Sequence, residues 1–397
     1  MLDAMLLLNQ EQVDTSIRTA LDRIAKGARH RGKRVALYAE REFQEAAIFS
    51  SELQQRPDGK IRRRATGYRG PPAVKPIRGR SRVGSEGPLA FLVSQQVAAW
   101  PKIFLNHPGP DRIRGRTTPV GEIIIVTDFI GSGQRIRSML DKFQAVPTVR
   151  SWVSQNLVKF RVVAAAATRG GLIHVRRHRL RPEVIVEWIA PTVSYETSAS
   201  WVQWLRLMES YGPEAGRGAG RFGYGRQAAL IAFSYRIPNN TPAIIHQSEN
   251  GWRALFDGPV PVEFLTLFGV KPTGQIIDAA AAEAGIKMGD GLTEEDRKAI
   301  LVLSLLRGRW HYGAETALSA RTGFPVPALM DILREALRNG YLRNDGRITD
   351  FGYAFLKAGK ALERERPTIA TNENPYYPEA LRIPWASFST SRSLGRP

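Results

Sequence analysis

The chain contains no cysteine, which excludes disulfides, thiolate zinc sites and cysteine nucleophiles and fits a reducing compartment. It has no apolar run of about 18 residues, the length a helix needs to cross a bilayer. The stretch MLDAMLLLNQEQVDTS carries Asp3 and lacks the basic flank of a signal peptide, so a cytoplasmic protein with no membrane partner is expected. Acids are scarce: 37 Asp and Glu stand against 57 Lys and Arg in 397 residues, a formal net charge of +20. That imbalance is foreign to an ordinary metabolic enzyme and implies a polyanionic partner such as nucleic acid. The six histidines (His30, His107, His174, His178, His246, His311) show no HExxH spacing. His174 and His178 are four apart, but in so arginine-rich a segment that no protein metal site is expected.

What is present is a globular composition, 43% hydrophobic, long enough for two or three domains. The positive charge is clustered. Residues 56–82 hold ten Lys and Arg against one acid, and residues 161–181 hold six Arg and two His with no acid. Like charges crowded together cost stability unless an anion binds them. Arg62, Arg63 and Arg64 in the first cluster, and Arg176, Arg177 and Arg179 in the second, are the candidate nucleic-acid contacts.

The stretch GEIIIVTDFIGSGQRIRSML, Gly121 to Leu140, carries the sharpest local signal. Ile123, Ile124, Ile125 and Val126 are apolar on both faces, as suits a strand buried inside a parallel sheet. The strand ends at Thr127-Asp128. Gly131-Ser132-Gly133 then permits a tight loop with converging amides, and apolar Ile136, Met139, Leu140 and Phe143 predict an amphipathic helix. Strand, small-residue loop and helix N-terminus form a phosphate cradle. The stretch matches neither GxGxxG nor GxxxxGK[ST]. A β-branched residue at Gly133, taken as the loop apex, is expected to block the cradle and spare the fold.

Elsewhere the pattern predicts a helix from Gln10 to Lys26, a strand from Arg34 to Tyr38 and a helix carrying Glu40, Arg41 and Glu42. KFRVVAAAAT (159–168) and EVIVEWIAP (183–191) read as two more parallel strands, with the arginine-rich segment between them at the carboxyl edge of the sheet. LTEEDRKAILVLSLLRG opens with the capping order Thr293-x-x-Asp296 and starts a helix. Helices at 314–322 and 325–339 follow. Asn344-Asp345-Gly346 then signals a hairpin flanked by Arg343 and Arg347.

The strand-loop-helix at 121–140 resembles the phosphoribosyl diphosphate (PRPP) motif of type I phosphoribosyltransferases. The resemblance implies that Asp128 is the second of two acids that hold the ribose hydroxyls, with Thr127 in the place of the first. Gly131, Ser132, Gly133, Gln134 and Arg135 would wrap the 5'-phosphate. Arg80, Arg82, Gly84 and Ser85 would form the diphosphate loop, Mg2+ would arrive with a diphosphate ligand, and His107 to Pro119 would be a flap over the site. Residues 291–362 resemble a winged helix-turn-helix, whose third helix is poorly supplied for reading DNA because Asp331 and Glu335 accompany Arg334 and Arg338. Arg343 and Arg347 of the wing are better placed to touch a backbone, and the main role expected of the domain is docking onto a partner.

LYAERE, IIIVTDFIGSGQR, GRFGYGRQAALIAFSYRIPNNTPAII, GWRALF and NPYYPEALR together resemble the phosphoribosyltransferase-like proteins of bacterial conflict systems, and members fused to a winged helix resemble retron accessory proteins. The implied organisation is an α/β domain at 1–290 with a parallel sheet covered by helices on both faces, a winged helix at 291–362, and a tail at 363–397 returning to the α/β domain. The implied function is an antiviral effector that binds a ribose 5-phosphate ligand or nucleotide, with DNA or a DNA-RNA hybrid and a reverse transcriptase as partners. A catalytically inactive nucleotide- or DNA-binding regulator is the alternative.

Overall fold

The structure is a computed structural model that describes all residues except 44–46, 56–58, 75–85, 116, 195–197, 199, 213–219, 249–251, 257–259, 261–266, 269–271, 307–308, 312 and 362–397. Arg80, Arg82, Gly84, Ser85 and the tail at 363–397 lie outside the described residues.

After β1 (Leu6–Leu8), α1 (Gln10–His30) starts at a capping box in which Asn9 and Gln12 satisfy each other's backbone amides. β2 (Arg34–Ala39) enters the main sheet. An exposed antiparallel ribbon of β3 (Ser51–Gln55) and β4 (Ile61–Ala65) follows, then α2 (Glu86–Ala99), β5 (Phe104–Asn106), α3 (Pro110–Ile113) and β6 (Val120–Ile130). Next come α4 (Gln134–Ala145), α5 (Pro147–Ser154), β7 (Lys159–Thr168), α6 (Arg169–Arg176) and β8 (Glu183–Ala190).

The central sheet is parallel throughout, in the order β5-β2-β6-β7-β8. β6 is buried along its whole length. Alternate residues serve opposite faces: Ile123 and Ile125 join the core under α4, α5 and α6, whereas Ile124 and Val126 join the core under α1 and α2. The expected α/β sheet, covered on both faces, is therefore present. The chain steps from β2 outward to β5 and then back across to β6, so the direction of winding reverses between β2 and β6. Open α/β sheets bind ligands at the carboxyl ends of the strands flanking such a reversal.

α7 (Trp201–Tyr211) and α8 (Ala243–His246) flank β9 (Ile231–Phe233), which pairs in parallel with β1 in a sheet of its own. α9 (Thr273–Glu283), α10 (Glu294–Leu305), α11 (Ala314–Thr322), α12 (Val326–Arg338) and α13 (Asp350–Ala361) form the C-terminal domain with one core. Ile277, Ala280 and Ala281 of α9, which precede position 291, contribute to that core. Thr293 caps α10 by accepting from Asp296 N, and the wing is a short turn in which Arg343 N donates to Arg347 O. α11 and α12 pack against β8, and Ala320 and Val326 reach the core of the main sheet. The helix-turn-helix pair is thus docked on the protein's own sheet. No described helix is long and apolar enough to cross a membrane.

Candidate functional site

Asp128 and Thr127 occupy the carboxyl end of β6, where the winding reverses, and both are buried, Asp128 at 5% exposure. Asp128 Oδ2 accepts from Arg236 Nη2 at 2.7 Å and from Tyr235 Oη at 3.2 Å. Burial raises the Tyr235 pKa, and the neighbouring Asp128 raises it further, so the phenol stays a neutral donor. Thr127 Oγ1 donates to Glu40 Oε2 at 3.0 Å, and Glu40 Oε1 forms an ion pair with Arg135 Nε at 2.9 Å. Burial raises the Glu40 pKa. Arg135 pulls it down, and Asp128 pushes it up again.

The segment after β2 corrects the helix expected to carry Glu40, Arg41 and Glu42. Residues 40–43 are not helical, and Glu40 N donates to Val126 O at 2.8 Å. The parallel pairing with β6 holds the backbone extended one residue beyond β2, and tertiary pairing of this kind overrides local helix preference. Ala39 N, one residue earlier, donates to Nε2 of His107, whose Nδ1 faces Asn106 Oδ1 at 2.6 Å. The ring is therefore neutral, and burial depresses its pKa to about 4.

The loop Gly131-Ser132-Gly133 leads into α4, whose first-turn amides lack intrahelical acceptors. Ser132 Oγ accepts from Gln134 N at 3.4 Å. The loop is braced from behind: Thr168, at the end of β7, donates to Gly131 O at 2.6 Å and accepts from Gly171 N at 2.9 Å. Gly133 has φ +77°, and a Cβ there would stand 2.8 Å from Gly171 O. It is a buried packing position against the start of α6, so a β-branched residue would strain the fold as well as the cradle. Gln134 is exposed and Arg135 is half-buried.

Other expected contacts are scattered. α6 is eight residues long and carries the chain roughly 12 Å away from the carboxyl edge. Only Arg169 stays at that edge. Arg176, Arg177 and Arg179 lie at and beyond the C-terminal end of α6, in the return toward β8, which corrects the placement of that whole segment at the carboxyl edge. His178 between them is buried and pairs with Asp141 Oδ1 at 3.0 Å. Arg62, Arg63 and Arg64 stand on the β3–β4 ribbon. Cross-strand register places Arg63 with Leu53 on one face, and Arg62 and Arg64 with Gln54 and Glu52 on the other. The first half of the expected flap is packed, with His107, Pro108, Gly109, Pro110 and Ile113 buried, Gly109 N donating to Tyr68 O and Gly70 N to His107 O, whereas Thr117, Thr118 and Pro119 are exposed. Arg343 and Arg347 flank the wing turn, in the C-terminal domain.

Sequence reasoning missed Glu40, Tyr235 and Arg236 as site residues. Each adjoins the end of a short strand, inside LYAERE or IAFSYRIPNN. Roomier clefts lie elsewhere, one of about 640 Å3 lined by residues including Met5, Trp188, Trp204, Ile276 and Ala320. Pro88 and Leu89 share a narrow cleft with Asp128 and Tyr235, so the chain enters α2 beside the acid.

Residues 101–257 match the family model PRTase-CE, and residues 300–383 match the model described as wHTH-PRTase associated. The protein is phosphoribosyltransferase-like, with a C-terminal winged helix. The first match contains β6, Thr127, Asp128, the loop, α4, Tyr235 and Arg236, and Glu40 falls outside it. A phosphoribosyltransferase-like domain with this associated domain places the function with nucleotides or DNA, and a winged helix is consistent with nucleic-acid binding. Among solved structures the chain is similar to the AQ2163 protein from Aquifex aeolicus, with 9% identity and a TM-score of 0.21 over 47% of this chain and 88% of that one. None of the curated proteins compared with it matches.

Proposed function

We propose that the α/β domain binds a ribose 5-phosphate group, presented by a PRPP-type ligand or a nucleotide. In this reading Ser132, the amides after Gly133 and Arg135 take the phosphate, and Asp128 accepts from a ribose hydroxyl. The observation that supports it most is the position of Asp128, buried at the carboxyl end of β6 beside a braced small-residue loop and the start of α4. Glycosyl transfer or glycosidic-bond cleavage is the chemistry proposed for such a ligand. Mg2+ would be bound along with a diphosphate; among the described residues no cluster of three metal-binding side chains occurs. Arg80, Arg82, Gly84 and Ser85 remain the proposed diphosphate contacts.

The cellular role we propose is an effector of a bacterial antiviral, retron-like system, working in the cytoplasm with a DNA-RNA hybrid and a reverse transcriptase as partners. The net charge of +20 and the outward arginines of the β3–β4 ribbon support a nucleic-acid partner. A second reading, a catalytically inactive regulator, is favoured by one observation: Arg236 and Arg135 already engage Asp128 and Glu40.

Calorimetry with Mg2+-PRPP and with ribose 5-phosphate separates these. Asp128→Asn keeps the shape and should weaken either ligand about 10- to 100-fold, as expected for loss of a charge-assisted hydrogen bond. Unchanged affinity would sink the ribose-phosphate reading. Binding without turnover, with PRPP intact by mass spectrometry, would establish the regulator.

A further inference from the structure

Tyr68 follows the β3–β4 ribbon and is 65% exposed, although burying an aromatic ring is favourable. The backbone that carries it is fixed on both sides. Ala65 N donates to Thr148 Oγ1 of α5 at 2.9 Å, Ala65 O accepts from Arg114 Nη2 at 2.9 Å, and Gly67 N donates to Asp111 Oδ2 at 2.7 Å. Gly109 N and Asp111 N return the connection by donating to Tyr68 O and Gly67 O. The Arg112 guanidinium of α3 stands 5.4 Å from the ring centroid, within reach of a cation–π attraction that orients the ring.

The surroundings are cationic. Ile61 to Gly70 contain four arginines and no acid, and Arg62, Arg63 and Arg69 are exposed. Of the neighbouring acids, Asp111 is engaged by Gly67 and Arg114, and Glu52 stands opposite Arg64 in the ribbon register. Arg112 also acts on Arg34, whose pKa is lowered first by burial and then by that second guanidinium. Cations crowded in this way favour a bound anion. From Arg64 to Tyr68 the chain spans at most about 14 Å, so ribbon and ring serve one short run of ligand. A flat ring held outward among arginines is the pairing of groups that binds a single strand, because its face is open to an unpaired base, whereas bases in a duplex are already stacked on their neighbours.

We propose that the segment from Arg62 to Arg69 and α3 form a binding face for single-stranded nucleic acid, on which Tyr68 stacks one unpaired base. Arg112 orients the ring, and Arg69 with the ribbon arginines contacts the flanking phosphates. This rests on the nucleic-acid reading above and adds the strand type and the side chain that recognises it.

The test is fluorescence anisotropy on the full chain with labelled oligothymidylate, an abasic strand of the same length and a duplex of the same length. The native chain should bind oligothymidylate about fivefold or more tighter than the abasic strand, as stacking of one base supplies. Tyr68→Leu should reduce that preference to under about twofold, with affinity for the abasic strand within about twofold of native. The slope of log K against log salt should not change, because no phosphate contact is lost. Tyr68→Trp should keep the preference. Folded Tyr68→Leu that retains the native preference overturns the proposal and leaves the nucleic-acid reading standing, as does a native chain that fails to distinguish the two strands. Equal weakening by Tyr68→Leu of the duplex, or of phosphatidylserine vesicles, also overturns it by assigning the face to another partner. A native chain that binds no oligonucleotide at low salt overturns both.

Discussion

Arginine does opposite work in two parts of this molecule. At the ends of β2 and β6, Arg135 and Arg236 lie against buried carboxylates at 2.9 and 2.7 Å, so charge is neutralised locally and geometry is fixed. On the β3–β4 ribbon, Arg62 and Arg63 project outward from strands whose apolar Leu53 and Ile61 are also 70% and 69% exposed. Salt screens the ribbon's charges strongly and the buried pairs only weakly. The first region is suited to selecting one small ligand by shape, the second to attracting any polyanion.

The comparison breaks most visibly at glycine. Gly133 in the loop and Gly59 beside the ribbon share φ +77°, yet Gly171 O stands 2.8 Å from a Cβ at the first, and nothing lies within 4 Å at the second. Gly133→Ala should cost ~3 kcal/mol or more and Gly59→Ala ~1 kcal/mol, measured by denaturant unfolding. Equal losses would mean that the loop is not braced. Next is pH. Because the folded pKa of His107 is depressed to about 4 from 6.5, the unfolded chain binds the extra proton. Stability present above pH 6.5 should fall as pH drops toward 4, by up to ~1.4 kcal/mol per unit. His107→Gln should flatten that slope. Glu40 is raised instead, so its ionised form costs stability as pH climbs above the ordinary glutamate range. The melting temperature of Glu40→Gln should therefore match or exceed the native one at neutral pH.

Smaller effects belong to the ribbon. Replacing Arg62, Arg63 and Arg64 together by Gln should lower the slope of log K against log salt for single-stranded nucleic acid by about 2, at roughly 0.7 per phosphate contact. Stability should stay within about 0.5 kcal/mol. Affinity for ribose 5-phosphate should not move, and a joint loss would merge the two regions into one site. The smallest change is expected at the wing: Arg343→Gln with Arg347→Gln should reduce the same slope by about 1 or less. The helix-turn-helix is docked on β8, so no defined duplex operator should be recovered by binding selection on the full chain.

Legibility followed the range of the interactions. The run from Ile123 to Phe143 could be read directly, because apolar periodicity, a Gly-Ser-Gly turn and an amphipathic stripe are all local and agree with one another. The helices at 314–322 and 325–339 were legible for the same reason, and Thr293 caps α10 as the pattern predicts. Glu40 was misread as helical because ERE has ordinary helix preference, and only pairing with β6 holds it extended. Arg236 could not be placed at Asp128, 108 residues away in the chain, without the turn after β9. Arg176, Arg177 and Arg179 were read as a charge cluster at the carboxyl edge, and an eight-residue helix carries them away from it.

By itself, then, the sequence determined the strand-loop-helix of the site, the parallel α/β class, the winged-helix elements and the excess of positive charge, since each is set by residues within a few turns of one another. Tertiary structure alone decided that the carboxylate beside Thr127 comes from β2, that Arg135 and Arg236 cover the two acids, that Gly133 is a packing position, and that α11 and α12 rest on β8. These depend on which strands are neighbours and on where the sheet reverses its winding. Strand neighbourhood is a collective outcome of burying both faces of the sheet at once, and no local stretch of residues encodes it.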